Sequence, residues 1–153
     1  MNKFLSYIAI IGIGAFAGNM INIGLSYGVH WQRLEALEFM KVFAIDFPLL
    51  LYPTAATLLP AFLATLVLYF KTKKGIDAKR YWRNALIGLL IINGLTLSYH
   101  LPLNLKFMAQ SIAVEEVGSK LATWLMLHWL RIIIAIIAGI FAIKGLETAL
   151  VKE

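Results

Sequence analysis

Long runs of apolar residues separated by short polar stretches dominate this chain. Four of the runs reach at least about 18 residues, which is the length an α-helix needs to cross the hydrocarbon core of a bilayer. The predicted spans cover residues 4–27, 43–70, 84–101 and 121–143. The pattern therefore predicts an all-α integral membrane bundle of four transmembrane helices, which forms a single domain over residues 1–153.

Prolines and small residues refine these spans. Pro53 and Pro60 lie inside the second span, where each removes a backbone hydrogen bond, so we expect kinks there. Pro102 disfavours helical geometry in the residue before it, so the third span is expected to end at Leu101. Ala15, Phe16 and Ala17 resemble the A-x-A pattern of a signal-peptide cleavage site. The apolar run continues beyond them, so we expect the first span to be retained.

Composition supports a membrane environment. Hydrophobic residues make up 61% of the chain and charged residues only 14%, too few to cover a water-soluble core. Lipid must therefore cover much of the surface, and the bilayer is the first predicted partner. Cysteine is absent, which excludes disulfides, thiolate nucleophiles and cysteine-ligated metal clusters.

The positive charge is concentrated in one loop. The net charge is +6, and residues 71–83 carry six lysines and arginines against one aspartate. Short basic loops remain on the cytoplasmic side of a membrane. We therefore predict that this loop and both termini are cytoplasmic, in a plasma or inner membrane. Because topology accounts for the charge, no nucleic-acid partner is predicted.

Small and aromatic residues suggest how the helices pack. Small residues recur at a spacing of four, which permits close approach of helices. The pairs are Gly14 with Gly18, Gly24 with Gly28, and Ala135 with Gly139. We expect them to pack within the bundle, and a homo-oligomer is the second interpretation. The four tryptophans near span ends are expected to be interfacial anchors; they are Trp31, Trp82, Trp124 and Trp129.

The most unusual polar residues lie on one face of the fourth span. Trp124, His128 and Arg131 are spaced i, i+4 and i+7, so they point together. Counting outward from Lys144 puts Arg131 about 20 Å from the inner boundary of a hydrocarbon core about 30 Å thick. An arginine at that depth costs on the order of 3 kcal/mol, so we expect it to face the interior. Asp46 is the carboxylate best placed to pair with it.

Further polar residues fall at the same predicted depth, near the outer side. They come from the other three spans and are expected to line a small polar cavity with Arg131. The residues are Asn19, Asn22, Asp46, Tyr52, Thr54, Thr57, Asn93, Thr96, His100 and Asn104.

Two short motifs resemble those of a known family. Pro102 and Asn104 form a P-x-N element after the third span, and Trp124, His128 and Arg131 form a W-x3-H-x2-R element in the fourth. Together they resemble the anthrone oxygenase-like family, whose small members have four membrane spans. The resemblance covers about the last third of the chain specifically.

The resemblance implies oxygenation of an apolar aromatic or ketone substrate by proton abstraction and reaction with dioxygen. Dioxygen would be a co-substrate, and no cofactor is predicted. His128 would be the general base, because neutral imidazole accepts a proton near neutral pH, and Arg131 would stabilise the oxyanion. Six further residues would contact the hydrophobic small-molecule substrate: Asn22, Asp46, Tyr52, His100, Asn104 and Trp124.

Three other interpretations remain open. His30, His100, His128 and Asp46 could hold a metal, although no closely spaced ligand pair supports this and no metal site is predicted. A small transporter or accessory subunit would need a polar track to the cytoplasmic side, where the spans are mainly apolar. In a purely structural role, Arg131 would pair with Asp46 and no ligand would bind.

Overall fold

Four long helices contain almost all of the chain. They are α1 (Lys3–Trp31), α2 (Ala36–Lys71), α3 (Asp77–Met108) and α4 (Val114–Leu150). All four are long and apolar enough to cross a membrane, which confirms the predicted all-α bundle of four transmembrane helices. The computed structural model describes residues 3–73 and 77–151, and no strand occurs among them. The centre of the predicted basic loop, at 74–76, lies outside the described residues.

The helices pack as an up-and-down bundle. α1 lies against both α2 and α4, and α3 lies against α4 and α2. Small residues permit the closest approaches: Gly12 of α1 faces Ala61 of α2, and Gly88 of α3 faces Ala138 of α4. Short connections join the helices, as expected for antiparallel neighbours. Each helix therefore buries one side in the bundle and presents the other, apolar side to lipid.

Two helices contain a wide π-helical turn. In α1 the turn covers Ile23–Gly28, between the α-helical segments Lys3–Asn22 and Val29–Trp31. In α3 it covers Thr96–His100, between Asp77–Leu95 and Leu101–Met108. Such turns are rare in proteins, and those that occur are often found at functional sites.

The sequence suggested that the third helix ends before its proline, but it does not. It continues through Pro102 to Met108. Pro102 stands in the first turn of the α-helical segment that follows the π-helical turn. A missing N–H costs little at that position, which explains why the helix tolerates the residue.

The second helix is also continuous through its prolines. It runs from Ala36 to Lys71 with Pro48, Pro53 and Pro60 inside. The Thr57 hydroxyl donates to the Pro53 carbonyl at 2.8 Å, a side-chain bond within the same helix turn.

Three of the four tryptophans pack inside the bundle, and the expectation that they anchor the lipid interface is wrong for them. Trp31, Trp82 and Trp124 are buried, whereas Trp129 is partly exposed. Trp82 packs against Gly145, where an added methyl group would lie 2.9 Å from the indole ring. Trp31 and Trp124 pack against each other, with 5.7 Å between their ring centroids.

The glycines of α1 offer a direct test of this packing. An alanine at position 12 would place its methyl group 2.9 Å from Ala61 Cβ and 3.2 Å from the Thr57 carbonyl oxygen. Because a backbone atom cannot yield easily, we expect Gly12→Ala to destabilise the bundle by about 1–3 kcal/mol. Thermal unfolding of the detergent-solubilised protein measures the loss.

Gly14→Ala is the matched control. No atom lies within 4 Å of a methyl group added there, and the same holds for Gly18. These two glycines face away from the described bundle, contrary to the expectation that they pack within it. We expect Gly14→Ala to leave the melting temperature unchanged or slightly raised, since alanine favours helix. Equal destabilisation by both substitutions would contradict the observed arrangement of α1 and α2.

Candidate functional site

A cavity lies in the bundle interior at the level of the two π-helical turns. All four helices contribute to it. Apolar and polar residues line it: Met20, Ile23, Trp31, Phe43, Phe47, Leu50, Leu51, Thr54, Thr96, His100, Leu101, Asn104, Trp124, His128 and Arg131. Leu51 is 43% exposed and marks where the cavity meets the outer surface of the bundle. The site is therefore an apolar chamber with a few polar groups, as is typical of small-molecule pockets.

Arg131 is enclosed in this chamber. Only 5% of its surface is exposed, so the interior position predicted from its depth is the one observed. Nη1 donates to the Thr96 hydroxyl oxygen at 3.1 Å, and Nη2 donates to His128 Nδ1 at 3.0 Å. Both partners are neutral acceptors. The Nε–H group is buried and has no partner.

No carboxylate pairs with Arg131 within the described residues, so the predicted ion pair with Asp46 is absent. The Asp46 carboxylate instead accepts a hydrogen bond from Trp31 Nε1 at 2.9 Å. Trp31 follows the first π-helical turn, and its buried ring belongs to the wall of the cavity. Asp46 thus contacts the site indirectly, by holding this indole ring.

His128 is fully buried beside Arg131. Its Nε2 lies 2.8 Å from the Met20 carbonyl oxygen of α1, and its Nδ1 receives the hydrogen bond from Arg131. The Trp124 ring stacks on its imidazole with 4.9 Å between centroids and 12° between planes. His128 therefore joins α4 to α1 and has bonding partners at both ring nitrogens.

Trp124, Asn104 and His100 form the adjoining wall. Trp124 Nε1 donates to Asn104 Oδ1 at 2.8 Å, which ties α4 to α3. His100 packs edge-on against the Trp124 ring, with 5.3 Å between centroids. Its Nδ1 lies 3.2 Å from the Leu95 carbonyl oxygen, while its Nε2 is buried without a partner. The P-x-N and W-x3-H-x2-R motifs are thus brought into direct contact.

Like Asp46, two further residues predicted to contact substrate are not part of the cavity wall. Asn22 is exposed on α1 and accepts a hydrogen bond from the Ser26 hydroxyl at 3.2 Å. Tyr52 is 74% exposed on α2. Asn93 also lies outside the cavity wall, and its amide donates to the Leu89 carbonyl of its own helix.

Sequence reasoning also missed parts of the site. The Met20 carbonyl is a backbone group, and no pattern of side chains identifies it. The aromatic rings of Trp31, Phe43 and Phe47 line the cavity, yet apolar aromatic residues in a span look the same whether they face a cavity, a neighbouring helix or lipid. Trp31 follows the π-helical turn of α1, whereas Phe43 and Phe47 lie on α2.

The described residues bear on the metal and transporter interpretations. Across residues 3–73 and 77–151, no group of three or more histidine, aspartate or glutamate side chains is close enough to hold a metal. His30 is exposed on the surface. Between Arg131 and the basic end, the described interior is largely apolar, and its buried polar side chains are Ser6 and Thr65. The Thr65 hydroxyl bonds to its own helix at the Ala61 carbonyl.

Known proteins give no further guide to this arrangement. The resemblance to the anthrone oxygenase-like family rests on the two motifs and remains a prediction. Comparisons of the chain with models of protein families, with curated proteins and with solved structures found no match.

Proposed function

We propose that this protein is a membrane-embedded, anthrone oxygenase-like enzyme. It removes a proton beside the carbonyl of an apolar aromatic ketone and lets the resulting enolate react with dioxygen. The observation that carries the proposal is Arg131, a buried cation with an unused Nε–H group and two neutral partners. An enolate oxygen would supply the missing negative charge.

The free-energy cost of burying Arg131 favours a role in binding an anionic ligand over a purely structural role. An arginine at the predicted depth costs on the order of 3 kcal/mol, and packing alone is served as well by an apolar residue. A preorganised donor in a site of low dielectric stabilises an oxyanion more strongly than water does. Arg131 is held by the Thr96 hydroxyl and His128 before any ligand enters, so little reorganisation is needed at the moment of reaction.

The chemistry balances without a further oxidant. A base takes one proton from the CH₂ group beside the carbonyl system, and the enolate gives an electron pair to dioxygen as a carbon–oxygen bond forms. A returned proton gives the hydroperoxide. Loss of the second C–H proton then breaks the O–O bond and releases water. The carbon is oxidised from CH₂ to C=O by four electrons, and dioxygen is reduced by the same four.

The size of the cavity limits the size of the substrate that it can hold. About 70 Å³ of the cavity can hold the centre of a water molecule, which corresponds to roughly five to seven waters, or roughly 150–200 Å³ of ligand at liquid density. That volume fits one or two fused rings better than the three rings of an anthrone. The stacked ring of Trp124 and the rings of Phe43 and Phe47 offer flat apolar surfaces for such a molecule.

Turnover tests this proposal. Purified protein in lipid nanodiscs is supplied with 2-tetralone, a two-ring ketone with an acidic CH₂ group, and in parallel with anthrone. We expect dioxygen consumption matched by ketone oxidation. Arg131→Leu should lower kcat by about 100-fold because the developing oxyanion loses its donor. Arg83→Leu removes an equal charge from an exposed position on α3 and serves as the control.

Absence of turnover of both ketones by the wild-type protein, or full turnover by Arg131→Leu in a protein that melts normally, would contradict the enzyme proposal. Arg131→Lys keeps the charge and guards against a folding defect, and we expect it to retain more activity than the leucine variant. Because lysine lacks the planar pair of donors of a guanidinium, the activity of Arg131→Lys should still be lower than that of the wild type.

Binding of a stable anion gives a second prediction that needs no catalysis. The absorbance of 4-nitrophenol reports its ionisation, and the molecule is small enough for the cavity. A nearby cation favours the charged form of an acid. We therefore expect protein-bound 4-nitrophenol to ionise at a pH about one unit lower with wild-type protein than with Arg131→Leu. Equal ionisation curves would show that Arg131 does not face the ligand.

A further inference from the structure

We infer that the two buried histidines divide the work of this site. His100 accepts the substrate proton at Nε2, and His128 positions Arg131 without exchanging a proton with the substrate. This inference rests on the proposed function and changes the role that the family resemblance implies for His128. It follows from the direction of three hydrogen bonds and from one ring nitrogen that makes none.

Both ring nitrogens of His128 are already committed. An arginine guanidinium can only donate, so the Nδ1 atom that Arg131 contacts at 3.0 Å must be an unprotonated acceptor. A carbonyl oxygen can only accept, so the Nε2 atom 2.8 Å from the Met20 carbonyl must carry the proton. His128 is therefore the neutral Nε2–H tautomer.

A proton on Nδ1 would break this arrangement. It would set an N–H group against the guanidinium N–H and place two positive charges side by side in the bundle interior, where both are poorly solvated. The Arg131 bond would be lost at the moment when the oxyanion needs its donor. His128 therefore acts on the reaction through Arg131, as a positioning residue.

His100 has the opposite tautomer and a free lone pair. Its Nδ1 lies 3.2 Å from the Leu95 carbonyl oxygen and its Nε2 makes no hydrogen bond, so we assign the proton to Nδ1 and the acceptor to Nε2. Nε2 is buried without a partner, and the residue lines the cavity. A backbone acceptor behind Nδ1–H fixes the tautomer and ring orientation of a histidine base.

The proton path is then complete within the site. The substrate proton moves from carbon to His100 Nε2, and the electron pair remains in the enolate, whose oxygen lies against Arg131. His100 returns the proton to the peroxide oxygen. The edge-on Trp124 ring, 5.3 Å from His100 between centroids, helps to hold the imidazole in place.

Nitrogen NMR tests the tautomers without any substrate. In protein labelled with ¹⁵N-histidine near neutral pH, we expect one buried histidine to be Nε2–H and the other to be Nδ1–H. Each signal is assigned by its disappearance in His128→Gln or His100→Gln, and the exposed His30 gives the third signal. An Nδ1–H or doubly protonated His128 would overturn the inference.

Glutamine separates positioning from proton transfer. Its amide has an acceptor for Arg131 and a donor for the Met20 carbonyl, but it cannot act as a base. We expect His128→Gln to keep kcat within about tenfold of wild type, while His128→Ala loses about 100-fold. His100→Gln should lose about 100-fold in kcat with little change in KM.

The anion probe separates failure of this inference from failure of the proposed function. We expect His128→Ala to weaken the effect of the site on 4-nitrophenol ionisation as Arg131→Leu does, whereas His128→Gln and His100→Gln preserve it. If the wild-type protein turns over neither ketone, the proposed function fails. If the wild type is active but His128→Gln is inactive or His100→Gln is active, the division of roles is wrong.

Discussion

A positively charged guanidinium enclosed by four helices is the constraint on which the rest of this structure depends. Arg131 is buried in the bundle interior, so its N–H groups need acceptors there. Thr96 and His128 supply them, and each is itself oriented by a backbone carbonyl, at Ile92 and Met20 respectively. One side chain of α4 thereby ties together α1, α3 and α4.

The two π-helical turns lie beside the backbone carbonyl groups that orient the buried histidines. A wide turn shifts the register of the helix by one residue and frees space or carbonyl groups beside it. Leu95, directly before the turn in α3, accepts from His100, and Met20, shortly before the turn in α1, accepts from His128. The apolar half of the bundle contains no π-helical turn and no buried histidine among the described residues. It is filled by close packing of small and aliphatic residues. Irregular backbone and polar side chains therefore occur together.

The sequence predicts the helices and the core of the site because both depend on local patterns. Apolar run length gives the four helices, and the spacing of Trp124, His128 and Arg131 gives one helix face. The cost of a buried charge turns that face inward. Asp46 was the natural partner for Arg131 by charge and depth alone, yet its carboxylate is occupied by Trp31. Pairing between helices depends on rotation about each axis, which the polar pattern of a mainly apolar helix specifies weakly.

The exposed Leu51 at the edge of the cavity has a consequence for how the site is supplied. Under the proposed function, a chamber that meets the surface of the bundle on a lipid-facing helix would draw its ligand from the bilayer and not directly from water. An apolar ketone and dioxygen both partition into hydrocarbon, so the concentration that governs occupancy is the amount dissolved per volume of lipid. For the proposed enzyme the membrane would act as the reservoir of both reactants, and the quantity of lipid present would set the apparent affinity as much as the side chains do.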